Sequence, residues 1–361
     1  SAASWIGEPV RIGSVGVGFH PWPAFVLKDI QVGEGGISRI EAAWGNPDWL
    51  NWVQGKPQHV SIGFEDAQID SSLLLRVATL PPPSEPWRVK SIDVGNLSVR
   101  LGLFVGRGLE GSFSFGDEGL WTGARLVSSG KDGYILEAQV QDGHVQASAH
   151  AESWKLGTSQ LENPMIVGEL TSTGLKAGQF GAGWLSGAIK GVVDVDFSGI
   201  ARLRGRMNLD GVLMEQVVAL AGFPGVMEGR VSGPVTIEGS GENLLARLRW
   251  RGSYVITEGS LLRIDLVEAM RRQGLAPISG GVTRFSRMEG GFAFEQGKPV
   301  SLDIRSLKAG ALTASGRVSI SGDGALKGGL RADVHTPVER VARVFSVDGR
   351  VVTPQLRPLG Q

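Results

Sequence analysis

The sequence predicts a mainly β protein: an elongated, curled antiparallel sheet that forms a U-shaped trough and is capped by a few short helices. Apolar and polar residues alternate in many short segments, as in Val145–Glu152, and this is the period of strands with one apolar face. The 361 residues include 54 glycines, and such a number is typical of turns between short strands. Helical spacing of apolar residues occurs only in short, isolated segments.

An N-terminal module is predicted over residues 1–80. Strand alternation covers Val15–Gly35 and returns at His59–Ser72. A short helix is expected between these strands, with Asn46 as its N-cap and Pro47 at its first position.

Two tryptophans, Trp49 and Trp52, lie on the apolar side of this expected helix. Because tryptophan prefers the membrane–water interface, contact with a membrane is one interpretation. The other is a plug of core residues that closes the end of the sheet. We favour the plug, and both interpretations stay open.

A proline-rich linker is predicted at residues 81–87, because consecutive prolines cannot join a sheet ladder. A central β-meander is expected over residues 88–228. Near its end, the spacing of apolar residues predicts a second helix at Leu213–Gly222, which Phe223-Pro224-Gly225 breaks.

The C-terminal module is expected over residues 229–361. It opens with a strand that contains Tyr254 and Ile256, and Glu258-Gly259 then predicts a turn. Helical spacing from Leu262 predicts a short helix, which stops before Gly274.

An antiparallel meander with one apolar face follows over Val282–Ile320. A last short helix is expected at Val338–Phe345, after Thr336-Pro337.

This C-terminal order of elements resembles the AsmA-like family of envelope proteins. The resemblance is carried by the strand–turn–helix unit Gly252–Gln273, the G-x-T-x-F-x-x-M-x-G segment Gly281–Gly290, and the meander Phe294–Gly316. It implies groove-type lipid transport and outer-membrane biogenesis in a Gram-negative envelope. It further implies a periplasmic protein held by an inner-membrane anchor before Ser1, with a phospholipid or other acyl lipid, and further envelope proteins, as partners.

Physical reasoning leads to the same expectation. Roughly eighteen strands at about 4.8 Å each would form a sheet about 80–90 Å long, and the few short helices cannot cover its apolar face. Acyl chains would fill such a face, because each buried methylene contributes about 0.8 kcal/mol. The expected lining residues are Phe292, Phe294, Val300, Leu302, Ile304, Leu312, Ala314, Val318 and Ile320.

The sequence offers little for catalysis, metal binding or nucleic-acid binding. Thirty-six basic and 36 acidic residues leave no net charge, whereas a nucleic-acid partner would require a basic face. The five histidines are scattered, cysteine is absent, and no phosphate loop or nucleophile elbow occurs. We therefore expect no enzyme, no cofactor and no metal. Asp194 and Asp196 are interpreted as a solvated strand face rather than a calcium site.

Two further hypotheses stay open. Arginines alternate along two strands and would either hold lipid phosphates or, as we favour, form a polar outer face: Arg202, Arg204, Arg206, Arg247, Arg249 and Arg251. AsmA-like folds also resemble the N subunit of type II secretion systems. The alternative function is therefore a non-enzymatic scaffold or accessory subunit of a secretion or polysaccharide-export machine.

Overall fold

The computed structural model describes residues 7–19, 23–33, 38–48, 53–54, 58–70, 73, 87–101, 104–130, 133–142, 144–156, 158–171, 173–196, 200–241, 248–272, 276–335 and 340–359. In this part of the chain, 22 strands form one sheet. The two helices whose bounds are described have only seven and six residues. The mainly β fold class is confirmed, with more strands than the roughly eighteen expected.

The first eleven strands are β1 (Val10–Phe19), β2 (Pro23–Val32), β3 (Ser38–Pro47), β4 (Gln58–Asp70), β5 (Trp87–Leu101), β6 (Phe104–Phe115), β7 (Trp121–Ser128), β8 (Tyr134–Gln141), β9 (His144–Ala151), β10 (Ser153–Leu156) and β11 (Ser159–Thr171). The pairings of β1 to β9, and of β9 with β11, are antiparallel except that of β4 with β5, which is parallel. Parallel neighbours need a long crossover, and the sixteen residues 71–86 between β4 and β5 provide one.

The remaining elements are β12 (Gly174–Trp184), β13 (Gly187–Asp196), β14 (Arg202–Leu213), α1 (Met214–Leu220), β15 (Met227–Ser240), β16 (Arg249–Leu261), α2 (Leu266–Arg271), β17 (Thr283–Glu295), β18 (Val300–Ala309), β19 (Leu312–Ile320), β20 (Leu326–His335), β21 (Arg340–Arg350) and β22 (Thr353–Pro358). From β14 to β22, each strand pairs antiparallel with the next.

The chain divides into two compact units. Unit 1 comprises Ser1–Ser153, Pro164–Gly178 and Asp194–Ala201, and unit 2 comprises Trp154–Asn163, Gln179–Val193 and Arg202–Gln361. The module boundaries expected from the sequence, including a linker at residues 81–87, stay predictions.

The second predicted helix is confirmed as α1, although Leu213 still belongs to β14. The helix predicted at Val338–Phe345 is wrong, because β21 occupies Arg340–Arg350 and pairs with strands on both sides. Phe345 and Val347 are both buried, and this spacing of two residues is that of a strand with one buried face.

Two local signals also predicted the wrong element. Asn46 and Pro47 do not start a helix but end β3, opposite Ser61 and Val60. Pro47 can occupy this position because a strand's last residue need not donate to the ladder. Of the rest of that predicted helix, Val53 is helical, Asp48 and Gln54 are not, and the other residues lie outside the described ranges.

The turn predicted at Glu258-Gly259 is a kink inside β16, which continues to Leu261. Glu258 has a φ of 52°, and Gly259 still pairs with Phe285 in β17. A residue with positive φ bends a strand without ending it, as in a β-bulge.

Candidate functional site

In unit 2, the cross-strand register places the predicted lining residues on one face of the sheet. Phe292 in β17 lies opposite Leu302 in β18, which lies opposite Val318 in β19. Directly opposite residues point to the same side of a sheet. Val300 likewise pairs with Ile320.

Part of this face is covered by the protein itself. The solvent-exposed fractions of Leu312, Ala314 and Val318 are only 2%, 4% and 8%. They belong to a buried apolar cluster of unit 2 to which Leu266 and Met270 of α2 also contribute. A ligand would reach these three side chains only by displacing part of that core.

The rest of the predicted lining is more accessible. Phe294 is 39% exposed, and the other members are half-buried: Phe292, Val300, Leu302, Ile304 and Ile320. Phe292 and Ile304 also pack against the buried cluster. The accessible members therefore gather where β17 ends and β18 begins, and their role in lining a groove stays a prediction.

Helix α2 is fixed at its N-terminus by two side chains. The carboxylate of Asp265 caps it and accepts a hydrogen bond of 2.8 Å from the Glu268 amide. The hydroxyl of buried Thr283, the first residue of β17, accepts from the Leu266 amide at 2.8 Å and donates to the Ile264 carbonyl at 2.7 Å. These bonds hold α2 against the apolar face.

Tyr254 occupies the same face beside a glycine. A Cβ on Gly290 would clash with the Asp303 carbonyl oxygen and with the Tyr254 hydroxyl, so only glycine leaves room for the ring. The Tyr254 hydroxyl donates to the Asp303 carbonyl at 3.3 Å. Burial, with a smaller contribution from the Asp303 carboxylate, raises the pKa of Tyr254 to about 12. The group is structural rather than reactive at neutral pH.

In unit 1, two rows of apolar residues cross ten strands, β1 to β9 and β11. The first apolar row is Val17, Phe25, Gly45, Ile62, Ile92, Phe113, Ala124, Ala138, Ala147 and Gly168. The second apolar row is Val15, Leu27, Ala43, Phe64, Val94, Gly111, Leu126, Leu136, Ala149 and Ile166. Nine strand spacings of about 4.8 Å give each row a length of about 43 Å.

The two rows differ in burial. Ala43, Val94 and Leu126 of the second row are buried and belong to the apolar core of unit 1. The side chains of the first row are half-buried or exposed, and Ile92 and Phe113 lie against the edge of that core. Leu73, a helical residue after β4, packs against that core, whereas the side chains of the first row stay at least partly accessible. The first apolar row is therefore the candidate binding face.

Positive φ angles within the strands shift the apolar alternation just beyond these rows. Asp29, Asp66, Asn96 and Gly108 have φ between 50° and 62° in β2, β4, β5 and β6. Such a residue reverses the alternation of the side chains that follow it. Val94 and Leu97 are therefore both buried, although they are three residues apart.

The first apolar row was not predicted from the sequence. All the lining residues that the sequence predicted lie in the C-terminal module. The alternation of Val89–Val94 was visible as a strand, but its partners were not. The parallel neighbour β4 joins residues about thirty positions apart, as in Ile62 opposite Ile92. No local signal marks that pairing.

The opposite side of unit 2 is polar, as favoured from the sequence. Arg204, Glu238, Arg249 and Glu295 alternate in charge across four neighbouring strands. Glu295 forms ion pairs with Arg249 at 3.4 Å and with Lys298 at 3.0 Å. The hydrogen bond from Lys298, followed by the charges of Arg249, Lys298 and Arg251, lowers the pKa of the Glu295 carboxyl despite slight burial.

The other arginines of this pattern, Arg202, Arg206 and Arg251, are exposed, and Arg247 lies outside the described residues. The alternation of positive and negative charge from Arg204 to Glu295 favours a solvated outer face over a lipid-phosphate site.

No group of three side chains in the described ranges could hold a metal ion. His144 instead pairs with Glu169 at 2.8 Å. Asp194 and Asp196 lie near the end of β13, and the absence of any cofactor or catalytic site stays a prediction. Trp49 and Trp52 lie outside the described residues, so both interpretations of this pair remain.

No protein-family model, curated protein or solved structure matches the chain. Among the helices that the structure describes, none is long and apolar enough to cross a membrane.

Proposed function

We propose that this protein holds the acyl chains of a phospholipid or a similar lipid against the first apolar row, for lipid transport and outer-membrane biogenesis. The observation that carries the proposal is the row itself: apolar positions follow one another across ten strands, and none of its side chains is fully buried. The resemblance of the C-terminal sequence to AsmA-like proteins supports the same function, with a periplasmic location and an inner-membrane anchor.

The energetics favour an alkyl ligand. About eight methylenes buried against the row would contribute about 6 kcal/mol, before the cost of ordering the chain. Ile62, Ile92 and Phe113 offer apolar contact without a charged side chain between them along the row. A charged or strongly polar ligand would lose its hydration there without gaining partners.

A matched pair of substitutions on β5 tests the position of the site. Ile92→Arg places a charge on the apolar row, whereas Asp93→Arg places the same side chain at the next residue, which is exposed. We expect Ile92→Arg to abolish binding of a fluorescent phospholipid and Asp93→Arg to leave it intact. Circular dichroism checks that both variants fold.

Leu302→Arg provides the corresponding test in unit 2. If this substitution alone abolishes binding, the ligand lies on the C-terminal lining residues and not on the first apolar row. Photo-crosslinking from benzoylphenylalanine at Phe113 gives an independent readout, because one aromatic side chain replaces another.

The purified chain should also carry phospholipid that organic extraction and mass spectrometry detect. A lipid-free protein that binds no fluorescent phospholipid would refute the proposal. That result would favour the alternative, a non-enzymatic scaffold or accessory subunit of a secretion or polysaccharide-export machine.

A further inference from the structure

In the part of the chain that the structure describes, one backbone edge of strand β1 is open. Among the described residues, only β2 pairs with β1, from Val10 opposite Val32 to Phe19 opposite Pro23. Ten residues of strand extend about 33 Å, and the N–H and C=O groups on the far side need water or another strand.

The side chains of β1 make this edge unusual. Val15, Val17 and Phe19 are 69%, 74% and 76% exposed. Gly16 and Gly18 alternate with them, and a Cβ on Gly16 would meet no atom within 4 Å. Natural proteins usually protect such an edge with charges, prolines or a covering segment.

The last strand of the chain shows this protection. β22 has only six residues, of which Pro354 and Pro358 cannot donate to a ladder. Ile278 covers its edge by exchanging two hydrogen bonds of 2.9 Å with Leu356. β1 has no proline, its one charged residue is Arg11 near its start, and no described segment covers Val15–Phe19, so this part of the edge is open among the described residues.

A lipid surface does not fit this edge. Unpaired backbone groups do not occur in the hydrocarbon region of a bilayer, because nothing there satisfies their hydrogen bonds. A second β-strand satisfies them and covers the exposed side chains at the same time.

The sequence of β1 is complementary to itself. When two copies run antiparallel with Val17 opposite Val17, each Val15 faces a Phe19 and each Gly16 faces a Gly18. All three exposed apolar side chains then meet apolar partners on one face. A shift of one residue would set valines opposite glycines.

We infer that β1 pairs with β1 of a second copy of this chain, about a two-fold axis at Val17. Such an interface uses the same surface on both copies, as two-fold symmetry requires. Because Val17 is the outermost member of the first apolar row, the rows of the two copies would become continuous. The inference goes beyond lipid binding and does not depend on it.

Cysteine crosslinking tests both the pairing and its register, since the chain contains no cysteine. In the inferred dimer, the two Val17 side chains are direct neighbours, whereas the two Ile12 positions are about 33 Å apart. We expect Val17→Cys to form a covalent dimer on oxidation or with a short bismaleimide, and Ile12→Cys to stay monomeric.

The reverse experiment disrupts the edge. Val17→Lys should shift the mass in solution from twice the chain mass to 38.2 kDa, as measured by light scattering after gel filtration. Val127→Lys, at an exposed valine of β7, should remain dimeric.

The inference is overturned if the unmodified chain is monomeric at all concentrations, or if Val17→Lys stays dimeric. Equal crosslinking of Ile12→Cys would also refute it, and strongest crosslinking at Val15→Cys would overturn the register. Liposome binding that Val17→Lys abolishes in a monomeric protein would assign the edge to a membrane instead.

Discussion

Replacing Thr283 by valine tests how helix α2 is held against the apolar face of unit 2. Thr283 is 2% exposed, and its hydroxyl bonds both the Leu266 amide and the Ile264 carbonyl. Valine has a similar shape but no hydroxyl. Both backbone groups would then remain near the core without partners.

The size of the effect follows from these two bonds. A buried polar group left unsatisfied costs about 1–3 kcal/mol. Because Ile264 is only half-buried, its carbonyl can recover some solvation. We therefore expect a loss of about 2–4 kcal/mol in the free energy of unfolding. With a slope of about 2 kcal/mol per M, the urea midpoint of unit 2 falls by about 1–2 M.

Thr122→Val is the matched control, because the exposed Thr122 hydroxyl donates to the Ser114 carbonyl at 3.0 Å in unit 1. Thr122→Val should lower the free energy of unfolding by no more than about 0.5 kcal/mol, as is usual for surface substitutions. Urea unfolding followed by circular dichroism gives the midpoints, and hydrogen exchange of Leu266–Arg271 reports on α2. If both variants unfold at the same midpoint, or α2 exchanges no faster, the anchoring role of Thr283 is wrong.

Three further outcomes are expected. The unfolded chain loses the Tyr254 proton near pH 10 but the folded chain only near about 12, so about 2–3 kcal/mol of stability should disappear as the pH rises across that window. Absorbance at 295 nm should show the late transition, which Tyr254→Phe removes. Asn96→Val should cost about 1–2 kcal/mol in thermal unfolding because φ is 50° there, whereas Lys90→Val on the same strand should not. Gly290→Ala should lower the melting temperature through the clash of its Cβ with backbone, and Gly322→Ala, in open space, should leave it unchanged.

Most strands could be predicted because alternation is a local property of the sequence. Val300, Leu302 and Ile304 alternate with polar residues, and the structure pairs Val300 with Ile320 and Leu302 with Val318. The regular spacing of these side chains identified the face before any partner was known.

The wrong predictions share a physical cause. Asn46-Pro47 carries a strong helix-start signal, but pairing with β4 extends β3 through it. Val341 and Phe345 are four residues apart, and this spacing fits both a helix and a strand. Pairing with β20 and β22 makes the segment a strand. Tertiary pairing overrides local propensity in both cases.

The candidate site was harder to predict than the fold, because accessibility depends on what covers a face. Leu312 and Ile320 lie on the same strand and the same apolar side, yet Leu312 is buried and Ile320 is only half-buried. Leu312 belongs to the buried cluster that includes Leu266 and Met270 of α2, whereas Ile320 does not, and α2 is held by Thr283, seventeen residues after Leu266. Periodicity contains no information about such a contact.

The apolar faces of the two units therefore differ in how far the protein itself covers them. In unit 2, Leu266, Ala269 and Met270 of α2 supply a covering, and the buried cluster includes side chains expected to meet a ligand. In unit 1, helical Leu73 packs against the core of the second row, and Ile92 and Phe113 stay half-buried. Since hydrophobic stabilisation scales with the apolar area that remains to be buried, an acyl chain gains more on the first apolar row than on a face whose core is already filled. Lipid that bound against Leu312, Ala314 and Val318 would require part of that cluster to move, and Thr283→Val would then strengthen binding rather than leave it unchanged.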